Sequence, residues 1–216
     1  MKVVVTGATG ATGKELLERL LKDEHIAHVT ALVRRSLNVQ HPKLQAEVVD
    51  FDQPHEWQAL VKGDVAFSCM GTTLKAAGSK EAQYKVDYEY QYAFAEAARQ
   101  NDIPAFVLIS AGMANPKSLV FYSRMKGKLE KAIEALHFKS LVIFRPGLLS
   151  RPGTDREGEK ISEGLLNFFN KLGLFKNMAP LKVNKLAELM LHYAQQAPDG
   201  THIIEPGRIL KEIAEQ

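Results

Sequence analysis

Apolar residues in this chain gather into short, nearly unbroken runs, separated by longer stretches in which they recur every three to four positions. The runs at Lys2–Thr6, Val29–Val33, Glu47–Asp50, Val65–Cys69, Ala105–Ser110 and Leu141–Phe144 are rich in β-branched residues, with a weaker one at His202–Ile204. Because they scarcely alternate with polar positions, they predict strands buried on both faces, as in a parallel sheet. Leu16, Leu17, Leu20 and Leu21 share one face of a helix over Gly13–Asp23, and Glu18 and Lys22 pair on another. Ala82–Gln100 predicts a second helix and Tyr122–Leu136 a third, with Leu129, Ile133 and Leu136 at helical spacing. Ile161–Leu174 and Lys185–Gln196 complete the set, and Leu149–Lys160 reads as a long loop. Strand alternating with helix predicts an α/β fold built on a parallel sheet of six to seven strands.

Length sharpens that picture. The six strand–helix units use about 150 of the 216 residues, so residues 1–216 read as one domain with a small substrate-side lid over 149–182. No room is left for a separate catalytic domain, and the chemistry is expected on the carboxyl edge of the sheet. No apolar run approaches the roughly 20 residues of a membrane helix, and the first residues lack the apolar core of a secretory signal. A single cysteine, Cys69, excludes an internal disulfide framework and a cysteine metal cluster. His25 and His28 have no carboxylate or cysteine partner suggesting a metal site, so no metal is expected. The location implied is cytoplasmic. A net charge of +3 without any block of like charge lacks the basic stripe that nucleic acids require.

The first strand runs directly into Gly7-Ala8-Thr9-Gly10-Ala11-Thr12-Gly13, and the leucine-rich helix begins at once. Glycines at this spacing allow a tight turn, close approach of backbone to a pyrophosphate, and close packing of helix on strand. The helix start then offers unpaired N–H groups and a positive dipole end to phosphate. Gly7, Thr9, Gly10, Ala11, Thr12 and Gly13 are therefore predicted to bind a dinucleotide. The second strand ends in Arg34-Arg35 and not in the acid that grips an NAD ribose, which points to NADP(H). Asp50 and Phe51 end the third run, and Cys69, Met70 and Gly71 end the fourth, all on the ligand-binding edge. Cys69 reads as a small apolar filler and not a nucleophile.

Among the six tyrosines, Tyr122 alone is followed four residues later by a lysine, Lys126. That spacing places both on one helical face, at the start of the helix after the fifth strand. A neighbouring ammonium favours the phenolate and so is expected to lower the Tyr122 pKa from its ordinary value of about 10. Such a tyrosine exchanges a proton with a carbonyl or alcohol oxygen, and the lysine can also hold the nicotinamide ribose.

The glycine loop, Tyr122-Ser123-Arg124-Met125-Lys126 and Phe144-Arg145-Pro146-Gly147 resemble the short-chain dehydrogenase/reductase superfamily. Within it, the paired arginines, Gly71-Thr72-Thr73 and the short Ser-to-Tyr spacing look most like the atypical subgroup of Tat-interacting-protein-like oxidoreductases. The resemblance is good over about residues 1–150 and looser beyond. It implies a Rossmann-type doubly wound sheet, a nicotinamide cofactor with Pro146 near it, and tyrosine–lysine chemistry. The superfamily's catalytic serine often stands second in a Ser-Ser pair at the end of the fifth strand, where this chain reads Ser110-Ala111. A one-residue shift reverses the face of a strand. Ser110 therefore serves only if the strand end has already bent; otherwise it points away from Tyr122.

The expected function is NADP(H)-dependent hydride transfer to or from a small carbonyl or alcohol compound, with Tyr122, Lys126 and Ser110 as the catalytic set. The alternative is a non-enzymatic NADP(H)-binding regulator. The expected partner is a small-molecule substrate, with no nucleic acid or membrane. Tyr84, Tyr88 and Tyr92, at spacing of four, offer a face for a homodimer.

Overall fold

The computed structural model describes residues 1–147, 149–150 and 181–215. Strands β1 (Lys2–Thr6), β2 (His28–Val33), β3 (Leu44–Val48), β4 (Val65–Ser68), β5 (Ala105–Ile109) and β6 (Ser140–Phe144) follow in chain order. Two short strands, β7 (Leu149–Ser150) and β8 (Leu181–Lys182), pair with each other, and β9 (Gly200–Ile204) returns to the main sheet. That sheet has seven strands in the order β3-β2-β1-β4-β5-β6-β9. Every neighbouring pair is parallel, with Val3 beside both Val29 and Val65, and Val65 beside Ala105. The fold is the α/β Rossmann type. The chain winds outward from β1 to β3 and then restarts at β4, so a crevice opens above the carboxyl ends of β1 and β4.

Helices cover both faces. On one lie α1 (Ala11–Lys22) and, further along the chain, a helix over Val183–Gln196; Leu16, Leu20, Leu186 and Met190 are buried there against Val3, Val5 and Val107. Arg19 joins the two helices through Glu188 at 3.2 Å. The other face carries the helical run from Lys80 to Gln100 and the helix Phe121–Glu134; Phe94, Phe106, Leu129 and Ile133 pack there. In chain order the helices are α2 (Pro54–Trp57), α3 (Leu74–Ala77), α4 (Lys80–Tyr84), α5 (Tyr90–Gln100), α6 (Phe121–Glu134), α7 (Val183–Gln196) and α8 (Pro206–Ala214). None of the described helices is long and apolar enough to cross a membrane.

Three elements differ from the sequence expectation. β3 begins at Leu44, three residues early, and stops at Val48. It is the edge strand, with Gln45, Ala46 and Val48 exposed, so the double burial that marks the central strands is missing from its sequence. The predicted helix Ala82–Gln100 is interrupted by a π-helical turn at Lys85–Glu89. α8 was absent from the predicted set, although Pro206 at its first turn and buried Ile209 are its start and core signals. The predicted helix Ile161–Leu174, and most of the predicted loop and lid between 149 and 182, lie outside the described residues.

Candidate functional site

The glycine loop is where β1, β4 and α1 converge. Gly7 has φ +76°, and a side chain there would run into the Cys69 carbonyl at the end of β4; one at Gly13 would run into the Gly7 carbonyl. Neither position tolerates a Cβ without parting the helix from the sheet. Gly10 donates its N–H to the Gly7 carbonyl at 2.9 Å and stands as N-cap of α1 without a side-chain cap. The first turn of α1 carries no acidic residue, so its open N–H groups and dipole face the crevice free of competing negative charge. This cradle fits a pyrophosphate.

Beside it lies a cavity of about 250 Å³. Gly7, Thr9, Gly10, Arg34, Phe51, Cys69, Met70 and Gly71 all line it, so eight of the expected cofactor residues meet in one place. Ala11 is half-buried in the first turn of α1, and Thr12 and Gly13 are buried beneath the loop. Arg35 follows Arg34 and, like it, is exposed. Val86 and Tyr90 close the cavity from the helical run, with the Tyr90 ring 5.6 Å from that of Phe51. Tyr90 donates to Asp52 at 2.7 Å, and Lys85 pairs with the same carboxylate at 2.7 Å.

Two expected residues are placed elsewhere. Asp50 sits in an exposed turn beyond β3, its carboxylate accepting the Asp52 N–H and its carbonyl accepting the Trp57 indole N–H. It is not among the residues lining the cavity. The early end of β3 leaves Asp50 folding back on its own loop. Pro146 is buried past β6, where its carbonyl accepts the Gly112 N–H at 2.9 Å. The Cys69 thiol is pushed up to about 12 by burial, which leaves it a protonated filler, not a nucleophile.

Tyr122 and Lys126 occupy successive turns of α6 on the same sheet edge. Lys126 is 2% exposed, and its ammonium lies 3.7 Å from Oδ1 of Asp87, itself 1% exposed, and 3.5 Å from the Ile109 carbonyl at the end of β5. The expected lowering of the Tyr122 pKa does not occur. Burial and, after it, the Asp87 carboxylate hold the phenol above its ordinary value. The lysine's charge is turned toward Asp87, and the phenol feels the anion behind it.

Ser110 takes a different direction. Its hydroxyl donates to Oε1 of Glu130, which also receives Nε of Arg145 at 3.1 Å, while Arg145 Nη2 meets Oε2 at 2.6 Å. Glu130 lies eight residues along α6 from Tyr122, about 12 Å of helical rise. The Ser110 backbone N–H still pairs with Phe144 of β6 at 2.8 Å, so the strand has not bent before reaching it. The structure brings together Tyr122 and Lys126 and directs Ser110 to Glu130.

The loop, the cavity and the α6 pair are accompanied by a direct relationship. Residues 7–164 match the family model described as NAD(P)H-binding. The chain belongs to this NAD(P)H-binding family. It is 36% identical over 173 residues to the protein fmp52, mitochondrial, of Aspergillus fumigatus, covering 77% of this chain and 73% of that one. It is 37% identical over 161 residues to protein HTATIP2 of Rattus norvegicus, covering 70% and 66%. Among solved structures, MoeE5 in complex with UDP-glucose and NAD superposes with a TM-score of 0.73 at 16% identity, covering 100% of this chain and 81% of that one. The oxidoreductase ylbE from Lactococcus lactis does so at 0.68 and 18%, covering 100% and 98%. These likenesses place the chain with the atypical NAD(P)-binding relatives that its motifs resemble. The expected cytoplasmic location does not stand: relatives from three fungi, Aspergillus fumigatus, Coccidioides immitis and Candida albicans, are named as mitochondrial proteins. The expectation rested on the lack of a secretory or membrane signal, which says nothing about organelles.

Several residues in and around this candidate site escaped the sequence reading. Asp87, Gln83 and Gln91 are all buried and stand four apart, a polar stripe running beside the tyrosine stripe. The polar stripe has the same period as the tyrosines one position further on, and polar side chains carry no mark of burial in sequence. Glu130 continues the Tyr122–Lys126 spacing by one more turn and carried the same kind of signal. Val86 and Tyr90 carried none, because their place in the cavity depends on the π-helical turn.

Proposed function

We propose that this protein is an NADP(H)-dependent oxidoreductase that moves hydride between the nicotinamide and a small carbonyl or alcohol compound. The observation that carries the proposal is the placement of Tyr122 and Lys126 on one face of α6, at the same sheet edge as the glycine cradle. When bound, the cofactor supplies the hydride chemistry. The open N–H groups of α1 hold its pyrophosphate, and Arg34 and Arg35 bind the 2′-phosphate that distinguishes NADP(H). Arg34 lines the cavity, and among the described residues no ion pair occupies either guanidinium. Lys126 donates to a ribose hydroxyl, and the Tyr122 hydroxyl gives its proton to the carbonyl oxygen in reduction and takes it back in oxidation. Burial and the Asp87 carboxylate hold Tyr122 as a phenol, the protonated form that donates in reduction.

NADPH consumption against a panel of aldehydes, ketones and quinones tests this reading. Tyr122→Phe is expected to lower turnover by about 10²- to 10⁴-fold with cofactor affinity retained; undiminished turnover would refute the assigned proton path. The second reading, an NADP(H)-binding regulator without turnover, draws support from the engagement of Ser110 by Glu130, which removes a hydroxyl from the reacting oxygen. It predicts NADPH binding with no consumption across the whole panel.

A further inference from the structure

The helical run over the sheet changes pitch as it passes the site. Between Tyr84 and Tyr90 it widens into one π-helical turn, a distortion frequent at functional sites. The turn carries Asp87, and its surroundings fix it on several sides. The Asp87 carbonyl accepts the Gln91 side-chain amide at 3.0 Å, and the oxygen of that amide accepts the Ser68 hydroxyl of β4 at 3.0 Å. Oδ2 of the Asp87 carboxylate accepts the Thr72 N–H at 2.8 Å. Oδ1 is buried, without a hydrogen-bond partner, and faces Lys126 at 3.7 Å.

That geometry has a chemical consequence. Either group alone in this setting would be driven to its neutral form, because burial penalises charge. Burial does push the Asp87 carboxyl up and the Lys126 ammonium down, and their mutual attraction opposes both shifts. Glu130, one turn further along α6, is the other anion acting on Lys126, and Tyr122, one turn before it, feels Asp87. At 3.7 Å the ammonium is attracted to Oδ1 without a hydrogen bond to it, and with one donor on the Ile109 carbonyl at 3.5 Å, two of its three remain for another acceptor.

Taking Tyr122 and Lys126 as the reacting pair of the function proposed above, we propose that Asp87 is a positioning residue. It is the counter-ion that keeps the buried Lys126 charged, ready to donate to a cofactor hydroxyl. The carboxylate is held by the Thr72 N–H, and the main chain of the same residue by Gln91, which Ser68 of β4 anchors, so the charge is fixed before any ligand arrives.

Asp87→Asn keeps the shape and the acceptor for Thr72 and removes the charge. Lys126 then loses its nearest anion, and desolvation lowers its pKa well below the unfolded value of about 10.4. A lysine shifted this way binds fewer protons folded than unfolded, so stability falls as pH falls from about 10 toward the lowered value. The thermal midpoint of the variant, relative to wild type, is therefore expected to drop by several further degrees between about pH 9.5 and pH 7. Asp87→Asn combined with Lys126→Met should abolish that slope. A deficit independent of pH, or a slope that survives in the double variant, overturns the proposal; a single variant that folds only at alkaline pH is its extreme expected form. NADPH titration by fluorescence supplies a second arm: as pH rises from about 7 to about 9.5, the variant should lose about tenfold more affinity than wild type because its Lys126 deprotonates. Parallel pH dependence of the two proteins overturns the role toward the cofactor. A wild type without affinity for NADPH refutes the dinucleotide reading instead, and the thermal arm, which uses no cofactor, still decides the pairing of Asp87 with Lys126.

Discussion

Ser110 and Tyr122 stand twelve residues apart in the chain and answer to different carboxylates. The Ser110 hydroxyl is bound by Glu130, whose two oxygens also hold the Arg145 guanidinium, and Arg145 reaches on to Glu205 at 2.6 Å. This network ties the ends of β5 and β6 to α6 and to the residue before α8. Its members are mostly buried, Glu130 at 5% and Arg145 at 19% exposure, so removing one partner strands the other. Ser110→Ala removes a single donor to a carboxylate that keeps two others. We expect it to cost about 1–2 kcal/mol, lowering the thermal midpoint by about 2–8 °C. Turnover should stay within about threefold of wild type, far from the effect of Tyr122→Phe. Arg145→Leu should cost more, about 3–5 kcal/mol, because Glu130 would remain buried without its cation. Thermal melts and steady-state rates of the two variants check both. A Ser110→Ala protein that melts normally but has lost turnover would restore the serine to the catalytic set.

The elements that were legible in sequence are those whose whole environment is apolar. β1, β4, β5 and β6 are buried along nearly their full length, so an unbroken run of Val, Ile, Phe and Leu fixes their limits to within a residue. β3 faces water at the sheet edge, and its Leu-Gln-Ala-Glu-Val carries no such mark. The π-helical turn was invisible because the tyrosines at 84, 88 and 92 keep their spacing of four across it and still stack, at 4.8 and 6.3 Å. The glycine loop was legible, since Gly7 and Gly13 each answer a steric demand of neighbouring backbone. Gly10 is less constrained: it takes φ −75°, open to any residue, and is exposed, and a Cβ there would meet the Gly7 carbonyl at 3.2 Å. Its substitution therefore probes the ligand more than the fold. Gly10→Asp should lower the melting temperature of the free protein by no more than about 4 °C while placing a carboxylate against the phosphate cradle. NADPH affinity should fall at least about tenfold. Calorimetric titration beside a thermal melt separates the two effects; retained affinity would move the pyrophosphate away from this helix.

Across the whole molecule, the edge of the sheet is wet at one end and dry at the other. Arg34 and Arg35 stand exposed past β2, whereas Lys126 and Asp87 are sealed beneath the ends of β4 and β5. Ordering by the sheet thus separates two kinds of electrostatics along one proposed ligand. Contacts to exposed guanidinium groups are screened once the Debye length shrinks to a few ångströms, while a buried pair is screened much less. The preference for NADPH over NADH, which rests on the exposed end, should therefore decline with salt. Between about 0.05 and 0.5 M sodium chloride we expect the affinity ratio to fall about three- to tenfold. NADH, which lacks the 2′-phosphate, should bind with little change over the same range, since the groups that hold its nicotinamide half are buried. Thermal shift gives the readout without turnover: NADPH at about 100 times its dissociation constant adds about 2.7 kcal/mol, a rise of about 5–10 °C for a chain of this size. Replacing both arginines by Gln should bring the NADPH response down to the NADH level and make it insensitive to salt. A double variant that still prefers NADPH would place the 2′-phosphate contact on another part of the edge.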